Sequence, residues 1–323
     1  MKKIIAIPFI IAFAIIALII GFSCKKKTES KPEETPVTPT GNTSNINGFF
    51  SSNTTPALSF TVNVTSSQTI TGTGAQIIIP PNAFVTKSTG SPVTGTVQIS
   101  LIEIYTKKGM ILNKAQTMTS SDLLNSAGEL NLKVMQGAVD LKLGPGKQLA
   151  IKILEPVSPQ SGMLVFNGAI NTNSLLVWTV SPSTPSVVTQ YDSTSIGGGY
   201  YYNFNCDSLG WINCDMFNGS TGPKTTFTIT LTGSHDKSNT VIFTAFPSIN
   251  GVTQLYCGTT NLQAFGHWGQ VPIGINATIV AISEINGQYY SAFVPTTITA
   301  SMTSAVTLTA TTNAAILTQL NSL

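Results

Sequence analysis

Leu58-Ser59-Phe60-Thr61-Val62-Asn63-Val64 places an apolar side chain at every second position with a polar one between. Successive side chains of a strand point to opposite faces, so this stretch predicts a β-strand with one face in a core and the other in water. The same period recurs in Val97/Ile99/Leu101, Leu130/Leu132/Val134, Val139/Leu141/Leu143, Leu149/Ile151/Ile153, Phe227/Ile229/Leu231 and Val306/Leu308/Ala310. Ile77-Ile78-Ile79 is a continuous apolar run stopped by Pro80-Pro81 and predicts a short strand covered on both faces. Thr89-Gly90, Gly144-Pro145-Gly146, Asn250-Gly251 and Asn286-Gly287 read as turns between such runs. Beyond the N-terminal leader, only Ala314–Leu323 suggests a helix. Many short strands at this spacing define an all-β fold of sandwiches or partly open barrels.

The composition narrows the function classes. Only 9% of the 323 residues are charged, against roughly 25% in an average soluble domain. All sixteen basic residues are lysines, so the chain has no guanidinium fork for bidentate grip on phosphate or guanine, and a nucleic-acid partner is not expected. From Gly48 onward ten lysines balance ten acidic residues, and the formal charge of +3 resides in the N-terminus. Polarity comes instead from uncharged groups, with 45 threonines and 27 glycines.

At about 150 residues per domain, the length after the N-terminal segments suggests two domains. The strand Leu149–Ile153 must end before Glu155-Pro156-Val157-Ser158-Pro159, which places the expected break there. The expected units are a β-sandwich over 48–155 and a second over 160–323. The second would carry an insert near 181–222, beginning at Ser181-Pro182-Ser183-Thr184-Pro185, before a compact sandwich over 224–312.

The stretch from Gly72 to Phe84, with Ile79-Pro80-Pro81-Asn82-Ala83 at its end, followed by Gly90-Ser91-Pro92-Val93-Thr94-Gly95-Thr96-Val97, resembles ZU5-like domains. The chain resembles in particular lipid-anchored bacterial envelope proteins that continue with Glu103, a glycine-rich segment near Gly128 and the motif Gly210-Trp211-Ile212-Asn213-Cys214-Asp215. The resemblance implies a β-sandwich and a role as an interaction surface. Self-cleavage, known for some members at a His-Phe-Ser site, is not implied, because His235 is followed by Asp236 and His267 by Trp268.

Several residues are candidates for chemistry. Beyond Cys24, the odd set Cys206, Cys214 and Cys257 allows at most one disulfide, Cys206 with Cys214 or Cys214 with Cys257; buried inert thiols or a reactive or metal-binding cysteine are the alternatives. Cys214, Asp215 and His267 are the residue types of a thiol hydrolase, and the three cysteines with His267 could ligate zinc, although no short paired spacing supports it. Trp178, Tyr201, Trp211 and Trp268 could form an aromatic platform for sugar rings, although Tyr200, Tyr201 and Tyr202 alternate faces if they lie on a strand. The leading expectation is a non-catalytic protein without cofactor that contacts envelope proteins or glycans or serves as a structural element. A hydrolase built on Cys214 and His267, and a carbohydrate-binding protein, are the alternatives.

Met1-Lys2-Lys3 and the apolar run Ile4–Phe22 have the form of a secretory signal, and the run is also long enough to span a bilayer as a helix. Ser23-Cys24 at its end resembles a bacterial lipoprotein signal, which implies cleavage after residue 23 and acylation of Cys24. Residues 24–47, with Pro32, Pro36 and Pro39 and only Val37 and Ile46 as aliphatics, read as a disordered tether reaching up to roughly 70 Å. The expected address is the cell envelope, anchored to the outer membrane, with the face left open. Cys24→Ser is expected to abolish incorporation of labelled fatty acid and to leave the protein at its precursor mass.

Overall fold

The alternating runs pair into mostly antiparallel ladders, and strands hold 52% of the described residues against 8% in helices, so the fold is all-β. The computed structural model describes residues 44–155, 159–192, 199–267 and 269–323. The leader, Cys24 and most of the expected tether lie outside these residues. Residues 46 and 47, expected to end the tether, instead open helix α1 (Ile46–Asn53), which buries Ile46, Phe49 and Phe50. Their i, i+3, i+4 spacing gives this short helix one apolar face, and that face anchors it to the body.

Strands β1 (Leu58–Asn63), β2 (Gln68–Thr71), β3 (Ala75–Ile79), β4 (Phe84–Thr86) and β5 (Thr96–Ile104) precede the short helix α2 (Lys107–Leu112). They are followed by β6 (Leu124–Gln136), β7 (Val139–Leu143), β8 (Leu149–Glu155), β9 (Leu164–Ile170), β10 (Leu176–Val180), β11 (Val187–Asp192), β12 (Gly199–Cys206) and β13 (Gly210–Phe217). One sheet runs β1-β5-β6-β13-β9-β10, with β7 joining β6 and β4 joining β7; the other runs β11-β12-β8-β3-β2. Between them Ile77, Ile99, Leu132, Ile151, Tyr202 and Ile212 form a core. In β3, Ile77 and Ile79 are buried while Ile78 is only half-buried, so this strand is fully covered on one face rather than the expected two.

The expected break over 155–160 does not separate two domains. Downstream β12 pairs with β8, and β13 pairs with β6, so both sheets of the first sandwich are completed by residues up to 217. The segment expected as an insert near 181–222 supplies β11, β12 and β13. Strand β8 ends at Glu155, ahead of the prolines, but where a chain goes after a strand ends is decided by unsatisfied sheet edges, here those of β8 and β6.

The second sandwich contains β14 (Lys224–Thr225), β15 (Thr228–Leu231), β16 (Thr240–Phe246), β17 (Gly251–Gln254), β18 (Tyr256–Cys257), β19 (Ala264–Gly266) and β20 (Val271–Pro272). It continues with β21 (Asn276–Ile285), β22 (Gln288–Thr297), β23 (Thr303–Val306) and β24 (Thr309–Thr311), before helix α3 (Asn313–Leu320). A sheet β17-β16-β21-β22-β24 faces the smaller ladders β18-β19-β15-β23 and β14-β20 across a core containing Ile229, Ile242, Phe246, Phe265 and Ile279. The run Val306/Leu308/Ala310, which reads as one strand, is divided: β23 pairs in parallel with β15, and β24 pairs with β22 in the facing sheet.

A third core joins the two sandwiches. The outer face of the β6-containing sheet contributes Ile104, Leu124, Phe166 and Trp178, and the outer face of the second sandwich's larger sheet contributes Phe243, Ala245, Val252 and Val280; α1, α2 and α3 close its rim. The sheet containing β6 is therefore buried on both sides. A fragment ending at residue 155 lacks the strands that cover β6 and β8 and is expected to show no cooperative unfolding transition, whereas the whole chain unfolds cooperatively in a denaturant titration followed by circular dichroism.

Candidate functional site

The two sandwiches meet at an irregularity in β6. The register between β6 and β13 slips between Cys214 and Asp215, with Cys214 opposite Gly128 and Asp215 opposite Ser126, so Ala127 is the extra residue of a bulge. The turn Asn250-Gly251 of the second sandwich docks beside it. The Asn250 side chain donates to the carbonyls of Tyr105 (3.1 Å) and Ser126 (2.9 Å), its N–H donates to Asn125 Oδ1 (2.9 Å), and its carbonyl accepts from the Ser126 N–H (3.0 Å). Gly251 is required by close approach: a Cβ there would lie 2.8 Å from the Leu124 carbonyl oxygen.

On the other face of the same sheet, Glu103 holds the β2–β3 turn. Its carboxylate accepts from the N–H groups of Thr73 (2.6 Å), Gly74 (3.1 Å) and Ala75 (2.7 Å), from the Thr73 hydroxyl (2.8 Å) and from the Tyr105 hydroxyl (2.8 Å). Burial alone would raise the Glu103 pKa, but these donors hold it below the usual carboxylate value. Burial and the adjacent Glu103 charge push the Tyr105 phenol well above its normal range. There is no room for a side chain at Gly72, where a Cβ would lie 2.3 Å from Glu103 Oε2.

Between the bulge, the β2–β3 turn and the 247–250 turn lies a cavity of about 700 Å³. Tyr105, Lys107, Asn125, Ser126, Gln160 and Asn250 supply its polar wall, and Leu154, Met163, Ile249 and Leu323 supply apolar surface. Asn125 donates to Gln160 Oε1 (2.8 Å), and the Gln160 N–H donates to the Tyr202 hydroxyl (2.7 Å), which ties the segment after residue 158 to the first sandwich. Among the described residues no acidic side chain lines the cavity, and burial holds the Lys107 ammonium below the usual lysine pKa. The wall can present hydroxyls, amides and one cation to a ligand.

Beneath Ser126 the sequence motif Asn213-Cys214-Asp215 meets Glu129. The Ser126 hydroxyl donates to Asn213 Oδ1 (2.9 Å), and Asn213 Nδ2 donates to Asp215 Oδ2 (2.5 Å). Asn213 lies directly opposite Glu129 across the β6–β13 ladder. Glu129, Asn213 and Asp215 are each fully buried, and both Glu129 oxygens and Asp215 Oδ1 have no hydrogen-bond partner. Burial, and for Glu129 the neighbouring Asp215 charge, pushes both carboxyls up: Glu129 well above its usual value and Asp215 to about 8, although the nearby polar groups of Ser126 and Asn213 draw it partly back. The motif was visible in the sequence, but Glu129 sits next to a strand run with nothing to distinguish it from a solvent-facing residue.

The other candidates are dispersed. Cys206, Cys214 and Cys257 form no disulfide. The turn after β12 does not make a hairpin; it carries the chain from one sheet to the facing one, so Cys206 and Cys214 belong to opposite sheets of the first core. Cys257 lies in the second sandwich. His267 stacks on Phe227 (5.0 Å between ring centroids) and accepts or donates at Nδ1 to Gly269; with a carbonyl as partner, Nδ1 is the donor (2.8 Å). Burial lowers its pKa to about 4, so it is a neutral imidazole of the second core. Cys214 and His267 therefore occupy different cores and do not form a nucleophile–base pair, and the four expected zinc ligands are not gathered. Nor do the aromatic candidates form an exposed platform: Trp178 (1% exposed) donates from its indole to the Gln116 carbonyl and packs edge-on against the half-buried Trp211, and Tyr201 is 4% exposed beneath Lys152. Trp268 lies outside the described residues.

No family model matches the chain, and no curated protein matches its sequence. Among the described residues no helix is long and apolar enough to cross a membrane. Because Glu103 is held in its ionised form, the stability it contributes is present above the unfolded carboxylate pKa of about 4.5 and is lost as pH falls through its lower folded value. Glu103→Ala is expected to destabilise the protein by about 2 kcal/mol or more near neutral pH, with a smaller loss in acid, measured by denaturant titration at several pH values.

Proposed function

We propose that this chain is a membrane-tethered, non-catalytic binding module of a bacterial envelope, acylated at Cys24, whose ligand enters the cleft between the two sandwiches. The observation that carries the binding site is the cavity of about 700 Å³, a size typical of small-molecule sites, at the junction of the two sandwiches. Its wall of amides, hydroxyls and the single Lys107 suits an uncharged or acidic polar ligand such as a sugar or an extended peptide, recognised by hydrogen bonds rather than by an array of charges. The leader, the Ser23-Cys24 site and the proline-bearing segment after it support the membrane attachment, and the resemblance of Gly72–Val97 to ZU5-like domains supports an interaction role.

A hydroxyl- and amide-lined cleft favours a glycan or peptide over a hydrophobic cargo, because each buried polar group left without a partner costs about 1–3 kcal/mol. Ser248, exposed on the rim, offers a means of closing the cleft without disturbing a core. In a thermal-shift and equilibrium-binding screen of envelope glycans and peptides, hits are expected that weaken at least tenfold in Ser248→Trp, while the folded stability of the variant stays within about 0.5 kcal/mol of the parent. A screen with no hits, or hits indifferent to Ser248→Trp, would remove the cleft as the binding site.

A further inference from the structure

Two acidic side chains sit where a charge is hardest to keep. Glu129 and Asp215 are fully buried on the face of the β6 sheet that packs against the second sandwich, with Asp215 one diagonal step from Glu129 across the ladder and close enough for its charge to act on Glu129. Around them that face is apolar: Ile104 stands opposite Glu129 on β5, Phe166 and Leu164 stand opposite Asn213 and Asp215 on β9, and Leu124 precedes the bulge. The facing sheet brings Phe243, Ala245 and Val252, and α2 brings Met110 and Ile111. Of the other titratable groups of these strands, Glu103, Tyr105 and Cys214 lie on the opposite face of the sheet, and Lys133, on the Glu129 face of β6, is exposed and pairs with Asp140. On the facing strand β21, Glu284 is engaged by the N–H groups of Asn45 and Gly287. On α2, Lys107 lines the cleft, Lys108 donates to Asn321, and Lys114, just beyond it, lies over the Phe50 ring. Among the described residues, Asp215 is the charge that acts on Glu129, and no cation acts on either carboxyl.

Two ionised carboxylates in such surroundings would repel each other without compensation, and each would be stripped of its hydration. Asn213 donates one hydrogen bond and Ser126 supports it, leaving three carboxyl oxygens without a donor. A proton on one acid halves the buried charge and removes the repulsion between the two, as in paired carboxyls that cannot both ionise. We propose that Glu129 and Asp215 hold one proton between them, and that this shared proton keeps the two sandwiches docked at the β6 bulge. The cluster thus makes the joint, and with it the cleft above Ser126, responsive to alkaline pH. This holds whether or not a ligand occupies the cleft.

The sign follows from linkage. The folded pair retains a proton that the unfolded chain has released above about pH 4, so stability is greatest in mild acid, falls as pH rises, and levels off once the folded pair, whose carboxyls burial pushes up, has released that proton too. For one retained proton the unfolding constant rises up to tenfold per pH unit across that window. The test is denaturant unfolding of the whole chain between about pH 5 and 9 for the parent, E129Q and E129Q/D215N. Glutamine carries a donor at every pH, so E129Q is expected to flatten the alkaline loss, and the double variant, with no titratable group left in the cluster, to abolish it. Infrared spectra of the parent provide a reading that needs no variant: a protonated-carboxyl band at neutral pH that disappears in alkali and is missing from E129Q/D215N.

Parallel pH profiles in the parent and both variants would overturn the proposal, as would a neutral-pH spectrum without a protonated-carboxyl band. Stabilisation of the parent by millimolar calcium chloride that E129Q/D215N does not show would also overturn it, since a cation rather than a proton would then balance the pair.

Discussion

The docking of Asn250-Gly251 against the bulge of β6 is the contact around which the other layers are arranged. A regular strand satisfies its N–H and C=O groups with its two neighbours and has none left for a third element. The extra residue at Ala127 disrupts that pairing locally, and the Ser126 N–H and carbonyl turn instead to Asn250. Glycine at 251 lets the second backbone come close enough to make those bonds. Once the bulge and the turn are engaged, the outer face of the first sandwich is covered, and a sheet that could have met water on one side becomes the central layer of the protein.

That central position explains why the polar groups cluster where they do. Glu103 on one face and Glu129 with Asp215 on the other are all acids of the same sheet, yet their surroundings drive them in opposite directions. Glu103 meets three backbone N–H groups and two hydroxyls and stays ionised. Glu129 and Asp215 meet aliphatic and aromatic side chains and one amide, and burial raises both. The same residue type thus serves as an anion receptor's guest in one place and a proton holder in the other, and the difference is the number of donors within reach.

The cleft owes its character to the same junction. Its polar wall is composed of residues already engaged in joining the layers, namely Asn125, Ser126, Gln160 and Asn250, so it is held in place by the packing of both sandwiches rather than by a mobile loop. A site built this way is preorganised for hydrogen bonding, which is the property a binding module for neutral polar ligands needs.

Sequence periodicity alone established the all-β class, because side-chain alternation is a local property of the strand and needs no knowledge of partners. Leu58–Val64, Val97–Leu101 and Leu149–Ile153 were legible for that reason, as were the turns at Asn250 and Asn286. The apolar triplet Ile46, Phe49 and Phe50 was legible in principle, but a single helical turn among polar residues is too short to stand out from a tether. Pairing is a different matter. Which edge accepts a strand depends on partners far along the chain, so β12 and β13 could not be assigned to the first sandwich from the prolines near 155, and Val306–Ala310 could not be seen to divide between two sheets. The aromatic and thiol candidates failed for a related reason: residue type announces chemistry, but burial decides whether Trp178 meets a sugar or a core. Only the tertiary structure brought Glu129 beside Asp215, because the pairing of β13 with β6 joins segments far apart in the chain, and a one-residue bulge, invisible in the local pattern, then places Ser126 on the same face.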